Sequence, residues 1–216
     1  MDAITHKNPP EPEAAPGHEA SRELALALAR RLRELRTQRG WSLQQAADAC
    51  GVSKAMLGQI ERAESSPTVA LLWRIAGGFA CPLGDLLPAP TPTGAPERPE
   101  VRSAARMRAR PASDAMLVSP LFRFDPDLGF ELLELTLLPG YQRVSEPHAR
   151  GVVEHVLVLR GRLELLCEGA WRELGEGEGL RLAGDREHGY RNPGEQPVVL
   201  LDLIHYPRAR DAAPAG

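Results

Sequence analysis

Two histidines and two glutamates cluster in the stretch SEPHARGVVEHVLVLRG, residues 145–161, around a run of valine and leucine. Imidazole and carboxylate groups bind zinc, iron and manganese, and they also act as general acids and bases. The run VVEHVLVL has the composition of a β-strand, whose side chains point alternately to opposite faces. Glu154 and His155 are therefore expected on opposite faces and cannot share one site. The stretch alone leaves open a metal site, an enzyme's active centre and a polar seam on a strand.

The composition of the 216 residues is typical of a globular protein, with 43% hydrophobic and 25% charged residues. No run of 18 apolar residues occurs, so we expect no transmembrane span and no membrane partner. Residues 1–20 lack the order of a signal peptide and are rich in Pro, Glu and Ala. The cysteines, Cys50, Cys81 and Cys167, form no CxxC pair, which favours a reducing cytoplasm.

Charge is unevenly distributed along the chain, although the net charge is only −3. Residues 21–75 carry nine basic and five acidic side chains, a net charge of +4. Residues 113–206 carry nine basic and sixteen acidic side chains, a net charge of −7, and the segment 101–112 has four arginines and no acid. Such asymmetry is a reason to look for a nucleic-acid-binding module in the basic half.

A change of pattern divides the chain into two domains. A helical pattern almost free of proline gives way to short apolar runs, and a stretch rich in Pro and Arg separates the two. We therefore predict a disordered tail at 1–20, a helical domain at 21–87, a semi-extended linker at 88–112, a β domain at 113–207 and a disordered tail at 208–216.

The basic half has the pattern of several short helices. The leucines at positions 24, 28, 32 and 35 recur at three- and four-residue spacing, which predicts an amphipathic helix that ends at Gly40. A further helix is predicted over 68–80, with its apolar residues inward, and a turn follows at 82–86.

A helix-turn-helix is predicted between these elements. Ser42 can cap a helix over 43–49, with Gln45 three residues on as its capping-box partner. After a glycine-containing turn, Ser53 can cap the next helix, which runs to Glu61. Two short helices joined by a tight turn are the unit that many DNA-binding proteins use.

The stretch WSLQQAADACGVSKAMLGQIERAESSPTVALLWRIAGGF resembles the DNA-binding domain of the phage-repressor-like (Xre) regulators. Its Gly-Val-Ser, Ile-Glu-Arg and Ser-Pro segments all fall in register with that family. The resemblance implies an all-α, five-helix domain that binds a double-stranded DNA operator. It implies base-reading positions at Lys54, Ala55 and Gln59, and phosphate-contacting positions at Ser42, Ser53 and Arg62.

The chemistry of these positions is specific to each side chain. Lys54 can donate to guanine or to a phosphate, Gln59 can pair with adenine, and Ala55 can at most touch a thymine methyl. Arg36 and Glu61 match a structural ion pair of the family, so we assign them to folding. The alternative is a small helical bundle used for protein contacts, as in some antitoxins.

The acidic half contains LFRF, FELLELTLL, VVEHVLVL, RLELLC, GLRLA and VVLLDLIHY, divided by turn residues. This pattern predicts about eight short strands in a sandwich or barrel. The segment resembles a cupin, which implies an all-β jelly-roll barrel. The first cupin motif aligns from Gly140 to Gly161 in altered form, and the second aligns at Gly177, His188 and Asn192.

The cupin resemblance gives the opening stretch a chemical role. His148 and Glu154 match ligand positions of the first motif and His188 matches that of the second, while Glu146 stands where the family has its first histidine and could be a fourth ligand. Two imidazoles and a carboxylate suit a divalent metal such as Zn, Fe or Mn. A metal-free pocket for an organic effector and a purely structural barrel remain as alternatives.

A helix-turn-helix followed by a cupin resembles one class of bacterial transcription regulators, most nearly the sulfur-utilisation type. This implies effector-coupled DNA binding by a homodimer at a near-palindromic operator, and control of sulfur or amino-acid metabolism genes. An enzyme remains an alternative, because cupins include metal-dependent dioxygenases. The altered first motif and the fused DNA-binding domain count against catalysis.

Overall fold

The computed structural model describes residues 16–87, 101–107 and 115–207. A helical unit comes first and a barrel of two β-sheets follows, which confirms the predicted fold class. The expectations of disorder at 1–15 and at 208–216 lie outside the described residues, as do residues 88–100 and 108–112 of the predicted linker.

The helical unit has five helical elements among the described residues, and three of them begin at a capping side chain. Ser42, Ser53 and Thr68 cap three of the helices by accepting a backbone N–H with their hydroxyl oxygens, and Gln45 completes a capping box with Ser42. The elements are α1 (Pro16–Gln38), α2 (Leu43–Ala49), α3 (Lys54–Glu61), α4 (Val69–Gly78) and a 3-10 helix (Leu83–Asp85).

The first helix begins earlier than predicted. Residues 1–20 were expected to be a disordered tail, but α1 already starts at Pro16. Proline is favoured in the first turn of a helix, because its fixed φ suits the helix and its missing N–H would have no partner there. Compositional bias is therefore a poor guide to where this helix begins.

The barrel has nine strands, all paired antiparallel with their neighbours. One sheet has the order β1-β2-β9-β4-β7 and the other β3-β8-β5-β6. The strands are β1 (Met116–Asp125), β2 (Phe130–Leu137), β3 (Gln142–Ser145), β4 (Val153–Arg160), β5 (Leu163–Cys167), β6 (Ala170–Leu174), β7 (Gly179–Ala183), β8 (His188–Arg191) and β9 (Val198–His205).

Alternation along the long strands places the core between the two sheets. Along β2, Leu133, Leu135 and Leu137 are fully buried, while Leu132 and Glu134 are less so. Strands β3, β6 and β8 were not predicted, because they have only four or five residues each and are largely polar. One of them, β8, carries His188.

Part of the predicted linker is packed against the barrel. Residues 104–107 form a short helix, α5 (Ala104–Met107), and the Ser119 hydroxyl donates to the carbonyl of Ala104 at 2.9 Å. Arg102 donates to the Leu121 carbonyl at 3.0 Å and lies over the ring of Phe122. The description of 88–112 as a semi-extended linker is therefore wrong for residues 101–107, because their polar groups find partners on β1.

The helical unit docks directly onto the barrel through its 3-10 helix. The buried carboxylate of Glu131, on β2, accepts the N–H of Leu83 at 3.2 Å and of Gly84 at 2.9 Å. The Tyr206 hydroxyl donates to the same carboxylate at 2.6 Å, and Arg123 donates to the carbonyl of Leu87. Two otherwise unpaired N–H groups at the start of the 3-10 helix are thereby satisfied by the barrel.

Candidate functional site

The third helix presents a continuous exposed face. Lys54, Ala55 and Gln59 are exposed on α3, whereas Leu57 and Ile60 are buried against the other helices. This division follows from the helical period, which brings residues three to four apart onto one face. The three residues to which the sequence assigns base reading therefore lie together on the solvent side of α3, where they can enter a major groove.

Two serines cap the helices of the helix-turn-helix, and Ser53 directly precedes this face. Ser53 Oγ accepts the N–H of Met56 at 3.1 Å, and Ser42 Oγ accepts that of Gln45 at 3.2 Å. Each oxygen acts as an acceptor in its cap, so each hydroxyl proton is free to point elsewhere. Together with the backbone N–H groups at the start of each helix, these hydroxyls form donors suited to a phosphate.

Arg62 differs from the other phosphate-contacting candidates because it already has a partner. Its Nε and Nη2 atoms donate to the Glu64 carboxylate at 2.8 and 2.7 Å, and both side chains are exposed. The hydrogen bonds from Arg62 hold the pKa of Glu64 below its ordinary value. A phosphate contact by Arg62 would have to compete with this carboxylate or share the guanidinium with it.

The ends of α1 and α3 are joined by a charged pair. Arg36 donates to Glu61 through Nε at 2.7 Å and through Nη2 at 2.9 Å, and Glu61 is buried. A third donor of the same guanidinium reaches the carbonyl of Trp41 at 3.1 Å. The pair fixes the helix that carries Lys54 and Gln59 relative to α1.

Inside the barrel, His148, Glu154 and His188 converge on one point. Their ligand atoms all lie within 4.8 Å of one another. The Nε2 atoms of His148 and His188 are 2.9 and 3.4 Å from Glu154 Oε1. Glu154 and His188 are on strands β4 and β8, whereas His148 lies in the loop between β3 and β4.

The hydrogen-bond pattern fixes the proton on His188. Its Nδ1 lies 2.8 Å from the carbonyl oxygen of Arg186, an atom that can only accept, so Nδ1 carries the proton. In the neutral ring, Nε2 then directs a lone pair at Glu154 Oε1. Two lone pairs facing each other are unfavourable unless a proton or a cation lies between them. A histidine that donates its other ring N–H to a carbonyl is also typical of metal sites.

Glu154 favours its ionised form despite complete burial. Burial alone would raise its pKa, but the neighbouring imidazoles of His148 and His188 outweigh that effect and hold the pKa below the ordinary value. The Tyr190 hydroxyl donates to Oε2 at 2.6 Å, whereas Oε1 has no hydrogen bond of good geometry among the described residues. The unsatisfied oxygen is the one that faces the two imidazoles.

Asp202, on β9, is a second buried acid near this cluster. Burial and the negative charge of Glu154 raise its pKa well above the ordinary value. The pKa values of the two acids therefore shift in opposite directions, because only Glu154 has imidazoles beside it. No sequence motif marks Asp202, although it alternates in step with the buried residues Leu200 and Ile204 of its strand.

Glu146 does not join the cluster. Its side chain is 73% exposed and pairs with Arg74 of α4, with Nη2 of Arg74 3.0 Å from Oε1 of Glu146. The suggestion that Glu146 is a fourth ligand is therefore wrong for this arrangement, because its carboxylate turns outward to the helical unit. His155 is exposed on the opposite face of β4 from Glu154, as the alternation of a strand requires.

A small cavity adjoins the cluster. It has room for about one water-sized sphere, about 10 Å³. Arg143 and Ser145 line it beside the two histidines, and Met116 and Leu135 supply apolar walls. Trp73 also lines it, although this residue belongs to α4 of the helical unit. Nothing local in the sequence marks Trp73 as part of this site, because a tryptophan on an amphipathic helix usually packs in its own domain.

The donor set fits a divalent metal ion. One ionised carboxylate oxygen without a good hydrogen bond and two imidazole Nε2 atoms surround a space the size of a water molecule. Mixed nitrogen and oxygen ligands of this kind hold zinc, iron or manganese. His148, Glu154 and His188 are the residues that would hold the ion.

Comparisons with known proteins agree with both halves of the fold. A family model described as a helix-turn-helix matches residues 32–86, and one described as a cupin domain matches residues 133–204. No described helix is both long enough and apolar enough to cross a membrane.

Two relatives match most of this chain. The "HTH-type transcriptional regulator SutR" of Escherichia coli (strain K12) is 47% identical over 186 residues, which is 86% of this chain and 98% of the relative. The crystal structure of an HTH_3 family transcriptional regulator from Vibrio cholerae has 36% identity and a TM-score of 0.72, and the match covers 87% of this chain and 99% of that one. The chain belongs to the family of helix-turn-helix transcriptional regulators that carry a C-terminal cupin domain.

Proposed function

We propose that this regulator binds a specific DNA operator through α3 and that a small molecule or a metal ion in the cupin pocket alters that binding. The observation that carries the proposal is the pairing of an exposed polar face on α3 with an enclosed cluster of histidines and a carboxylate in the barrel. A surface for DNA and a pocket for an effector are the two sites that a ligand-controlled regulator needs.

Lys54, Ala55 and Gln59 read base edges in this proposal, and Ser42, Ser53 and Arg62 contact phosphates. Lys54 and Gln59 supply the hydrogen-bonding groups, and Ala55 leaves room for the helix to approach the base edges. Phosphate contacts fix the orientation of the helix but carry no sequence information. The ion pair between Arg36 and Glu61 holds α3 at a fixed angle for this purpose.

The effector site comprises His148, Glu154 and His188, with Arg143 and Ser145 at its border. With a metal ion held there, the site would gain a positive centre for an anionic group of the effector. Without one, the imidazoles and Arg143 are themselves donors for such a group. In either case the ligand shifts DNA binding only if it interacts differently with two arrangements of the protein.

We propose that the protein acts in the cytoplasm as a homodimer. Two copies of α3 must meet successive major grooves about one helical turn apart, which calls for a two-fold axis and a near-palindromic operator. The outer face of β4 exposes Leu157 and Leu159, and such apolar sheet faces are suited to self-association. Control of sulfur or amino-acid metabolism genes is the role that the sulfur-utilisation type of regulator suggests.

Regulation is favoured over catalysis. The position at which cupins place the first histidine of their motif is held by Glu146, whose carboxylate is engaged with Arg74. The cavity has room for about one water-sized sphere and is closed on one side by the helical unit, an arrangement that hinders turnover of a substrate. Long alignment with a relative named as a transcriptional regulator supports the same choice.

The test is selection of bound sequences from a random DNA pool with the full chain, followed by titration of the selected site. We expect an inverted repeat, and we expect Lys54→Ala/Gln59→Ala to abolish the preference for it while the circular dichroism spectrum stays unchanged. Gln142→Ala, an exposed change on β3, is the matched control and should bind as the unaltered protein does. Equal affinity of the double variant for the selected site would overturn the assignment of α3.

A further inference from the structure

A residue of the helical unit lines the pocket of the cupin. The ring centroid of Trp73, on α4, lies 4.9 Å from that of His148, and the two rings are tilted by 41°. Among the described residues that line the cavity, Trp73 alone comes from the helical unit, and the others lie between residues 116 and 202 of the barrel. One wall of the proposed effector site is therefore supplied by the part of the protein that binds DNA.

This wall is held in place by weak contacts. Trp73 is only partly buried, and the neighbouring ion pair between Arg74 and Glu146 has side chains that are 48% and 73% exposed. Exposed pairs of this kind contribute little to stability. The contact between α4 and the mouth of the pocket is thus far weaker than the buried clamp that Glu131 forms on the 3-10 helix. Of the contacts made by Trp73 and by Glu131, the contact made by Trp73 is therefore the one that breaks more easily.

The size of the cavity determines what can enter while Trp73 is in place. Room for about one water-sized sphere admits a metal ion or a water molecule but not an organic metabolite. An organic ligand that contacts His148 and His188 must therefore displace the indole, since the remaining walls belong to the packed barrel. Occupation by such a ligand and docking of Trp73 exclude each other.

Movement of α4 is passed on to the helices that hold DNA. A Cβ atom added to Gly78 would lie 2.5 Å from Cα of Cys50 and 2.7 Å from the carbonyl oxygen of Ala49, so α4 touches the end of α2 without a gap. Leu72 and Ile75 of the same helix are buried in the core. Because such close-packed helices move together, release of Trp73 moves α2 and α3 with α4.

We propose that Trp73 is a tethered occupant of the cupin pocket, and that an organic effector acts by displacing it and freeing the helical unit from that side of the barrel. The inference rests on the proposed effector site and adds how that site reaches the DNA. The 3-10 helix, clamped by Glu131, is the point about which the helical unit turns. Binding at the pocket therefore becomes a change in the position of α3.

The test uses free indole as the probe and the full chain in four forms: unaltered, Trp73→Ala, Trp73→Phe and Trp171→Ala. Trp171 lies on β6 beside Arg191, away from the pocket, and is the matched control. If the tethered indole occupies the pocket about 95% of the time, Trp73→Ala should bind indole about 20-fold more tightly than the unaltered protein by calorimetry. Trp171→Ala should bind it as weakly as the unaltered protein, and Trp73→Phe should fall between.

Hydrogen exchange of the α4 backbone amides is measured on the same proteins. We expect it to be about fivefold faster in Trp73→Ala, because α4 has lost its contact with the barrel, and unchanged in Trp171→Ala. Equal indole affinity in the unaltered protein and Trp73→Ala, or unchanged exchange in α4, would overturn the proposal. Neither measurement involves DNA, so this result stands apart from the operator titration, which tests the proposed function.

Discussion

Arg36 and Glu61 form a two-pronged ion pair that ties α1 to the end of α3, with distances of 2.7 Å from Nε to Oε1 and 2.9 Å from Nη2 to Oε2. Glu61→Ala leaves the guanidinium partly buried and without this partner. We expect the free energy of unfolding in urea to fall by about 2–3 kcal/mol, somewhat less than for a fully buried pair. Glu64→Ala, which breaks the exposed pair with Arg62, is the control and should change it little. Equal losses in both variants would contradict the structural role.

Two adjacent glycines on α4 provide a matched test of helix packing. A Cβ atom at Gly78 would clash with the backbone of Ala49 and Cys50, whereas one at Gly77 would meet nothing within 4 Å. Gly78→Ala should destabilise the protein by about 1–3 kcal/mol through overpacking. Gly77→Ala should stabilise it by about 0.5–1 kcal/mol, because alanine is the better helix former. Thermal melting of the two variants side by side checks both signs.

The acid that joins the two units should make stability depend on pH. Burial raises the pKa of Glu131 above its ordinary value of 4.5, against hydrogen bonds from Tyr206 and Gly84 that lower it, and the charge of Asp85 raises it further. A pKa that is raised by folding contributes stability at low pH, and this contribution is lost as the pH rises through the folded value.

Glu131→Gln removes that titration. We therefore expect the difference in unfolding free energy, unaltered protein minus Glu131→Gln, to decrease as the pH rises from about 4.5. Urea titrations of both proteins at a series of pH values measure this difference. A difference that grows with pH would show that the folded carboxylate is stabilised rather than penalised.

Metal binding by the cupin cluster should be visible in thermal stability. An ion that binds only the folded state raises the melting temperature, so added Zn²⁺, Mn²⁺ or Fe²⁺ should stabilise the unaltered protein. The His148→Ala/His188→Ala double variant should lose the effect, together with any metal that copurifies without chelator. His155→Ala, on the opposite face of β4, is the control and should keep it. An equal shift in the double variant would place the ion elsewhere.

Replacing Lys54 or Gln59 on α3 should change the salt dependence of DNA affinity in different ways. Gln59→Ala should cost about 1–3 kcal/mol of discrimination at one base position and leave the salt dependence unchanged, because no charge is removed. Lys54→Ala should lower the slope of log affinity against log salt by up to about 1, because it removes a positive charge that displaces counterions from the DNA. Titrations of the selected operator at several salt concentrations separate the two effects. A change of slope in Gln59→Ala would be inconsistent with base reading.

Helices α2 and α3 could be located from sequence because their ends are marked locally. The capping serines, Ser42 and Ser53, and the glycine turn between the helices fix both starts without reference to the rest of the chain. The start of α1 was misplaced because its first residues lie in a stretch with the composition of a tail. Strands β3, β6 and β8 were missed because pairing with neighbouring strands, rather than the composition of their own residues, makes them strands.

The candidate site was predicted in part. The resemblance to the cupin motifs indicated His148, Glu154 and His188. Trp73, Arg143 and Asp202 are instead brought to the pocket by the topology and by docking of the two units. Two further acids could have been recognised as buried from the alternation of their strands. Glu131 and Asp202 share the alternation of the buried leucines in their strands, and a charged residue with the parity of the core indicates a buried partner.

The hydrogen bonds between Glu131 and the 3-10 helix limit how domains can be exchanged between relatives. Its carboxylate belongs to the barrel, while the two N–H groups that it accepts, those of Leu83 and Gly84, belong to the DNA-binding unit. A chimera joined after Leu87 would therefore divide one hydrogen-bonded junction between two parents. A barrel with an apolar residue in place of Glu131 would leave both N–H groups unpaired. A helical unit from another protein that lacks this 3-10 helix would leave the buried carboxylate unpaired. An exchange that changes only the exposed face of α3 and retains the rest of the helical unit would keep this junction intact.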